Sequence, residues 1–584
     1  MRCLLPSLLL AALLAGPAAA QQVEAESFVL DNGMEFLLVP RYEEPNNIAA
    51  GWLAKVGSVN ERPGITGISH FFEHMMFKGT TTIGTSDPQA DRELMAQQQA
   101  VKTRLNELTW EDQYERWRRG EIDDPFDPAN DTPEMKELRT QLNDLIAQHA
   151  EVIKSNEYDE IYARLGGSGI NAFTSNDVTF FIATVPSNKF ELWAWMESDR
   201  LNDSVFREFY AEREVVREER RLGIESRPMG LPQEQFEAMF WQSAPYSWPV
   251  LGWPSDLQSY TREQAEWYFD TYYRSNNLVG VVVGDFEPDE IKPIITEYFG
   301  RLKRGRQDPP PVVTLEMDQS AEKRMYAEGD FSPQTEVRYH TVPFNHADSF
   351  ALQMMAEILN GRTGRLYKSL VEEKGIASQA SAAAIQLGAP WKYAGSFSFN
   401  AQVKGEALPE ELEAAWYEEL ERLQEESVPQ RELQKVKNQV VADAYRRLER
   451  NFMLMIQLGY FEAMGRWEYI NEAPGKLTAV NPEDIQRVAQ KYFEPTNRAV
   501  AIYRREAGAE PVDPELAALP AEAQGMVKQM LTQMERLDLP QLEMALAQMQ
   551  AQATQVPPEY KASFEYMVKK MKERVLALRA AEEK

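Results

Sequence analysis

The segment His70-Phe71-Phe72-Glu73-His74 is the densest group of chemically competent side chains in the sequence. At about 100° per residue, His70 and His74 lie about 40° apart on a helix, and Glu73 falls about 60° to the other side of His70. All three share one face. Two imidazoles one turn apart can ligate one zinc ion, and a carboxylate beside them can take a proton from a metal-bound water. Ile68, Phe71, Phe72, Met75, Met76 and Phe77 make this helix apolar nearly all round. Polar side chains inside such a helix are costly unless satisfied, and a metal with its water satisfies all three. The competing reading, three polar residues on a half-buried helix with no metal, leaves that cost uncompensated.

A catalytic zinc needs a third protein ligand and an open position. The remaining histidines are His149, in a polar stretch, and His340 and His346, far along the chain. A carboxylate is the better expectation. The stretch Glu212-Arg-Glu-Val-Val-Arg-Glu-Glu219 offers one: Glu212 and Glu219 differ by only about 20° around a helix axis. Val215, Val216 and Leu222 fall on the same stripe, so both glutamates are expected to face inward while Arg213, Arg217 and Glu218 face out. Alone, such a Glu/Arg-rich helix reads as a solvated surface laced with (i, i+4) pairs; beside the histidine pair it reads as the ligand donor.

Composition narrows the classes. Of 584 residues, 43% are hydrophobic and 26% charged, an ordinary globular balance. Lys plus Arg number 62 against 91 Asp plus Glu, a formal charge of −29, so no nucleic-acid partner is expected. The one cysteine, Cys3, lies in a leader: residues 1–20 combine Arg2, an apolar run Leu4 to Leu14 and the small residues Ala18-Ala19-Ala20 before Gln21. That is a secretory signal peptide, giving a periplasmic or secreted location; the alternative is an uncleaved anchor. The mature chain then has no thiol, which excludes disulfides and cysteine nucleophiles. No later run is long and apolar enough to span a membrane, so no membrane span is expected in the mature chain.

Around the site, the pattern gives an α+β fold. Phe28-Val-Leu30, Asp31-Asn-Gly33 and Met34 to Val39 read as strand, turn, strand. Val178 to Val185 and Leu278 to Val283 are β-rich; Phe190 to Leu201 and Ser204 to Ile224 are helical. The stretch about 87–164 reads as a helical insertion, with helices near Asp91–Leu108 and Thr132–Ile153. Thr261 to Val283 and Pro482 to Tyr503 repeat a helix-then-strand layout, Asn277 and Asn497 being 220 residues apart; two tandem halves explain this, with coincidence as the alternative. The expected organisation is a signal peptide 1–20, an N-terminal half 21–304, a Pro-rich linker 305–320, a second half 321–506 and a helical tail 507–584. Met526, Met530 and Met534 share a face in that tail and suit core or partner-helix packing.

His-x-x-Glu-His is also the inverted zinc-peptidase signature. With Gly57-Ser-Val-Asn-Glu61 and Gly67 to Thr80, the chain resembles the pitrilysin or insulinase type of zinc metallopeptidase (the inverzincins), most similar to the bacterial relatives of the mitochondrial processing peptidase β-subunit. Gly166 to Ser175 resembles that family's substrate strand, Glu212 to Glu219 its third-ligand helix, and Asn360-Gly-Arg-Thr-Gly-Arg-Leu-Tyr-Lys-Ser-Leu370 a segment of its second half. The resemblance runs from about Val23 to Arg505. It implies two homologous halves, each an antiparallel sheet packed with helices, closing as a clamshell around a chamber. It implies one zinc per chain on His70, His74 and Glu219, with Glu73 as general base and Glu212 orienting a histidine. A peptide would add as a strand along Asn171, Ala172 and Phe173, and Arg365 would reach substrate or intermediate from the opposite half. Short or unfolded peptides are the implied substrates, and a homodimer or a heterodimer with a related chain the implied assembly.

Two departures stand out. His74 and Glu219 are 145 residues apart, about twice the usual family spacing, which the insertion explains. Where the family carries a tyrosine that grips the intermediate, the chain has Ser378; Tyr367 is in a different register. Activity is therefore expected to be weak alone, or a second related chain completes the site. The rival to peptide hydrolysis is a non-catalytic assembly or chaperone subunit, and maturation of one dedicated peptide is a narrower form of peptide hydrolysis.

Overall fold

Apolar runs separated by turn residues give eleven strands in the computed structural model. It describes residues 22–384 and 391–506, and in the tail 513–517, 519, 523–524, 526–527, 530–531, 534, 537, 539–552, 556 and 560–582. The expected signal peptide lies outside the described residues. The first sheet comprises β1 (Glu26–Val29), β2 (Glu35–Pro40), β3 (Ile48–Ala54), β4 (Ser168–Thr174), β5 (Thr179–Val185) and β6 (Leu278–Gly284). Their spatial order is β1-β2-β6-β3-β5-β4. The second comprises β7 (Lys323–Gly329), β8 (Gln334–Thr341), β9 (Ala377–Ala383), β10 (Gly395–Val403) and β11 (Arg498–Arg505), ordered β7-β11-β8-β10-β9. Setting β1 aside, both sheets wind alike: first, fifth, second, fourth, third.

The two α+β halves are thus present, with one difference from the expected antiparallel sheets. In each half the last strand arrives after a helix and slots beside the first, and β2·β6 and β7·β11 are parallel. A helical crossover allows that direction where a tight turn does not. The repeat extends to single hydrogen bonds 220 residues apart. Helix Arg262–Tyr272 starts at a Thr261–Gln264 capping box, and Pro482–Tyr492 at an Asn481–Asp484 box. Asn277 Nδ2 donates to the Tyr272 carbonyl at 2.8 Å, and Asn497 Nδ2 to that of Tyr492 at 2.7 Å.

The halves exchange helices. Asn451–Met464, from the second half, lies on the first sheet, where Leu454, Met455 and Leu458 join Leu53, Phe180 and Val281 in one core. Gly459 permits the contact, since a Cβ there would stand 2.5 Å from the Phe180 ring. Gly230–Phe240, from the first half, lies on the second sheet, where Phe236 and Phe240 meet Ala499, Ala501 and Tyr503.

Two antiparallel-packed helices, Pro88–Leu108 and Pro133–Ala150, fill the insertion around Val101, Leu105, Met135 and Leu145. Buried Asp91 fixes them to the body. It meets His149 Nε2 at 2.7 Å and accepts twice from Arg207 at 2.9 Å, and Arg207 also donates to the carbonyls of Thr80 and Ile83. In the tail, Met534 is buried and Met530 packs in an apolar cluster, while Met526 is exposed.

Candidate active site

The histidines stand on the helix Ile68–Met75. Gly67, at its N-cap, has φ +86°, and a Cβ there would meet the Leu251 carbonyl at 2.6 Å, so glycine is required. The backbone N–H groups that open this helix are satisfied from a distance: buried Glu61 accepts from Gly67 N at 2.7 Å and Ser69 N at 2.8 Å. Ile68, Phe71, Phe72 and Met75 are buried in the aromatic core under the first sheet, which turns His70, Glu73 and His74 to the opposite side.

Glu219 comes to them from the helix Phe209–Arg220. His74 Nε2 lies 3.4 Å from its Oε2, His70 Nε2 3.8 Å from its Oε1, and one ligand atom from each of the three residues lies within 4.8 Å of the others. Tetrahedral ligands about 2.0–2.1 Å from an ion stand roughly 3.4 Å apart, so this donor set can hold a small divalent cation. Among the described residues, the buried Nδ1 of His70 has no hydrogen-bond partner. Burial, then the neighbouring His74, pushes the His70 imidazole down to about 4, leaving it neutral with a free lone pair.

Glu212, about two turns before Glu219 on the same helix, accepts from His74 Nδ1 at 2.9 Å and pairs with Lys78 Nζ at 2.5 Å. Burial alone would raise its carboxyl, but these two donors outweigh it and hold the group below its usual value. As an ionised acceptor it keeps the proton on Nδ1 and aims Nε2 at the site. Burial also works against a charge on His74, yet Glu212 and Glu219 together lift it to about 9. Glu73 is half-buried and raised by burial, a shift opposed by Thr174, whose Oγ1 donates to Glu73 Oε2 at 2.6 Å.

Thr174 ends β4, the free edge of the first sheet. Among the described residues, β4 makes no backbone hydrogen bonds beyond its ladder with β5. Asn171 is exposed and lines a cavity of about 430 Å³ with Glu73, His74, Phe77, Lys78 and Tyr158. Ala172 is buried, and Phe173 packs on Phe180.

One expectation needs correction. The buried stripe of the glutamate helix is Phe209, Tyr210, Glu212, Arg213, Val216 and Arg220, while Val215 and Leu222 are about half exposed and Glu219 stands at an open lip. Arginine stems fill the interior here: Arg213 lies over the Tyr210 ring, and Arg220 is clamped by Glu234. Arg365, which the resemblance assigns to substrate contact, is held by two acids in this structure. Its guanidinium is taken by Glu432 at 2.9 and 3.1 Å and by Glu419 at 3.4 Å. Ser378 bonds back to Gln402 within the second sheet. Thr174, Lys78 and Glu61 are contributors that spacing does not single out; Lys78 follows the end of the histidine helix at Met75 by three residues.

Residues 41–109 match the description "Insulinase (Peptidase family M16)" and residues 259–440 match "Peptidase M16 inactive domain". The zinc protease PqqE of Helicobacter pylori is 26% identical over 488 residues, covering 82% of this chain and 92% of that one. A protease structure from Helicobacter pylori superposes with a TM-score of 0.67 at 23% identity, covering 83% of this chain and all of that one. The periplasmic protease PqqL of Escherichia coli superposes at 0.60 and 16% identity, covering 82% of this chain and 47% of that one. These superpositions establish the fold: two repeated α+β halves. With both sequence matches and the PqqE relative spanning the halves, the chain belongs to the pitrilysin/insulinase (M16) family of zinc-protease-like proteins.

Proposed function

We propose that this chain is a zinc-dependent endopeptidase for short or unfolded peptides. The observation that carries the reading is the convergence of His70, His74 and Glu219 beside Glu73 at the end of an open sheet edge. A zinc ion bound there supplies positive charge that polarises a carbonyl and lowers the pKa of water. Glu73 takes the proton of the attacking water as its oxygen adds to the peptide carbonyl, and passes it to the amine as the C–N bond breaks. Thr174 holds Glu73 in place, and Glu212 holds His74. The backbone of Asn171, Ala172 and Phe173 pairs with the peptide as an added strand, a mode that gives affinity with little sequence preference. With its signal peptide removed, the enzyme acts in the periplasm or outside the cell.

A second reading is favoured by Arg365 and Ser378. Neither is free to grip an intermediate from the second half, so a related chain in a heterodimer supplies that contact, or a homodimer does. The test uses the purified chain lacking residues 1–20: zinc content, and cleavage of an unfolded peptide such as insulin B chain with and without chelator. One zinc per chain and chelator-sensitive cleavage that zinc restores are expected. Cleavage that persists without metal would overturn the first reading, and cleavage that appears only with a related second chain would establish the second.

A further inference from the structure

Asp91, Met95, Gln98, Lys102 and Leu105 recur at spacings of four and three along the insertion helix Pro88–Leu108, the stripe by which it is buried. Lys102 is only 8% exposed, and its ammonium makes no hydrogen bond or ion pair with any described residue. The charges bearing on it are mostly of its own sign: Arg213 and Arg217 from the helix Phe209–Arg220, and Arg139 from Pro133–Ala150, against the carboxylate of Glu214. Arg139 already has Asp131, and Arg217 has Glu214. Arg213 has almost nothing. It is buried, its Nε lacks a partner, and its nearest acceptors are the Tyr260 carbonyl at 3.5 Å and Glu214 at 3.7 Å.

Four cations from three helices therefore meet two carboxylates, Asp131 and Glu214, in a chain whose formal charge is −29. Bringing like charges together in a poorly solvated junction is unfavourable without a counter-charge. Loss of a proton could relieve Lys102, but a guanidinium keeps its charge, and Arg213 would keep only Glu214, 3.7 Å away and shared with Arg217, as counter-charge. Gln99, one turn before Lys102, accepts from Tyr210 Oη at 2.6 Å, which ties this stretch of the insertion helix to the turn that carries Arg213, and it also lines an open cleft of about 320 Å³ with Arg92, Arg262, Glu263 and Glu266.

We propose that the junction of the insertion with the glutamate helix binds a small oxyanion, of phosphate or carboxylate chemistry, between Lys102 and Arg213. The bound anion clamps the insertion onto the helix that carries Glu212 and Glu219. The site stands apart from the metal ligands, and its test does not depend on hydrolysis.

Thermal unfolding of the full chain is followed against phosphate, acetate and chloride at constant ionic strength, with phosphate binding read in parallel by calorimetry. The native chain is expected to gain a few degrees in Tm, saturably, with an oxyanion but not with chloride. A response to phosphate alone marks a free phosphate-like ligand, and an equal response to acetate marks the carboxylate of a peptide or protein. Lys102→Met should lose the response and the calorimetric signal. Lys102→Glu, which supplies the counter-charge covalently, should be more stable than the native chain without added anion and indifferent to phosphate. An unchanged phosphate response in either variant, an equal response to chloride, or no response in the native chain overturns the proposal. Should Lys102→Met not fold, Lys102→Glu and the native calorimetry decide alone.

Discussion

At the scale of single residues, the chemistry turns on how one carboxylate is held. Glu73 sits on the turn that carries both histidines, and its hydrogen bond comes from Thr174, 101 residues away on the sheet edge. Glu73→Gln preserves shape and burial but cannot take a proton, so hydrolysis should fall by roughly 10²–10⁴-fold with zinc still bound; retained turnover would remove Glu73 from the mechanism. Thr174→Val removes the donor and leaves the carboxylate free to rotate. A hydrogen bond to a charged group contributes about 1.5 kcal/mol or more, so kcat should drop about tenfold while KM moves little, and Thr174→Ser should recover most of it. The histidines and Glu73 were legible because five consecutive residues and one helical period contain their geometry. Thr174 was not, because the contact is made by tertiary folding. Arg365 shows the same limit from the other side: a motif position names the residue, but its pairing with Glu419 and Glu432 is made by tertiary folding and is not visible in the motif.

At the scale of elements, the two halves share a winding but treat their equivalent edges differently. β4 is open. β9 occupies the same place in the second sheet, yet Asn360 lies along it, its Nδ2 donating to the Ala382 carbonyl at 2.7 Å and its Oδ1 accepting from Ala382 N at 2.8 Å. The side-chain amide stands in for one residue of a neighbouring strand and blunts the edge there. Asn360→Ala should cost about 1–2 kcal/mol from two lost hydrogen bonds, lowering Tm by a few degrees, and should promote concentration-dependent self-association visible by light scattering. A variant as stable and monodisperse as the native chain would mean that other contacts guard the edge. Strands, crossover helices and the 220-residue repeat are readable from alternation, turn residues and the shared helix-then-strand layout around Asn277 and Asn497. Apolar residues alone do not predict the buried face of the glutamate helix, because Arg213 and Arg220 bury long stems with their charges on Tyr210 and Glu234. Nothing in local spacing announces an exchanged helix either; Asn451–Met464 is apolar nearly all round because it is enclosed by the other half's sheet.

At the scale of the whole molecule, the exchanged helices bind the halves into shared cores, and a single acid marks where their hairpin regions meet. Asp177 lies in the β4–β5 turn, 4% exposed. Tyr246, following the helix given to the second sheet, donates its hydroxyl to Asp177 at 3.0 Å, and the backbone N–H of Lys392, leading into β10, lies 3.4 Å away. Tyr393 N donates in turn to the Tyr246 oxygen at 3.1 Å. Burial raises the Asp177 carboxyl from 3.8 to about 6, although Tyr246 and Lys392 pull the other way. The sign of the stability effect follows from linkage. Between about pH 4 and 6 the native state holds a proton that the unfolded chain has lost. This contribution is therefore complete below pH 4 and disappears as the pH rises through about 6, a swing of about 3 kcal/mol for two pKa units. Asp177→Asn keeps an acceptor for Tyr246 and has no proton to lose. Its Tm should change less than that of the native chain across this window, and should exceed the native value at pH 7–8, where the native junction encloses an ionised carboxylate. Unfolding curves of the two chains at matched pH values test this directly. Parallel pH profiles would show that Asp177 is ionised throughout, with Lys392 as its counter-charge, and that the junction does not respond to acid.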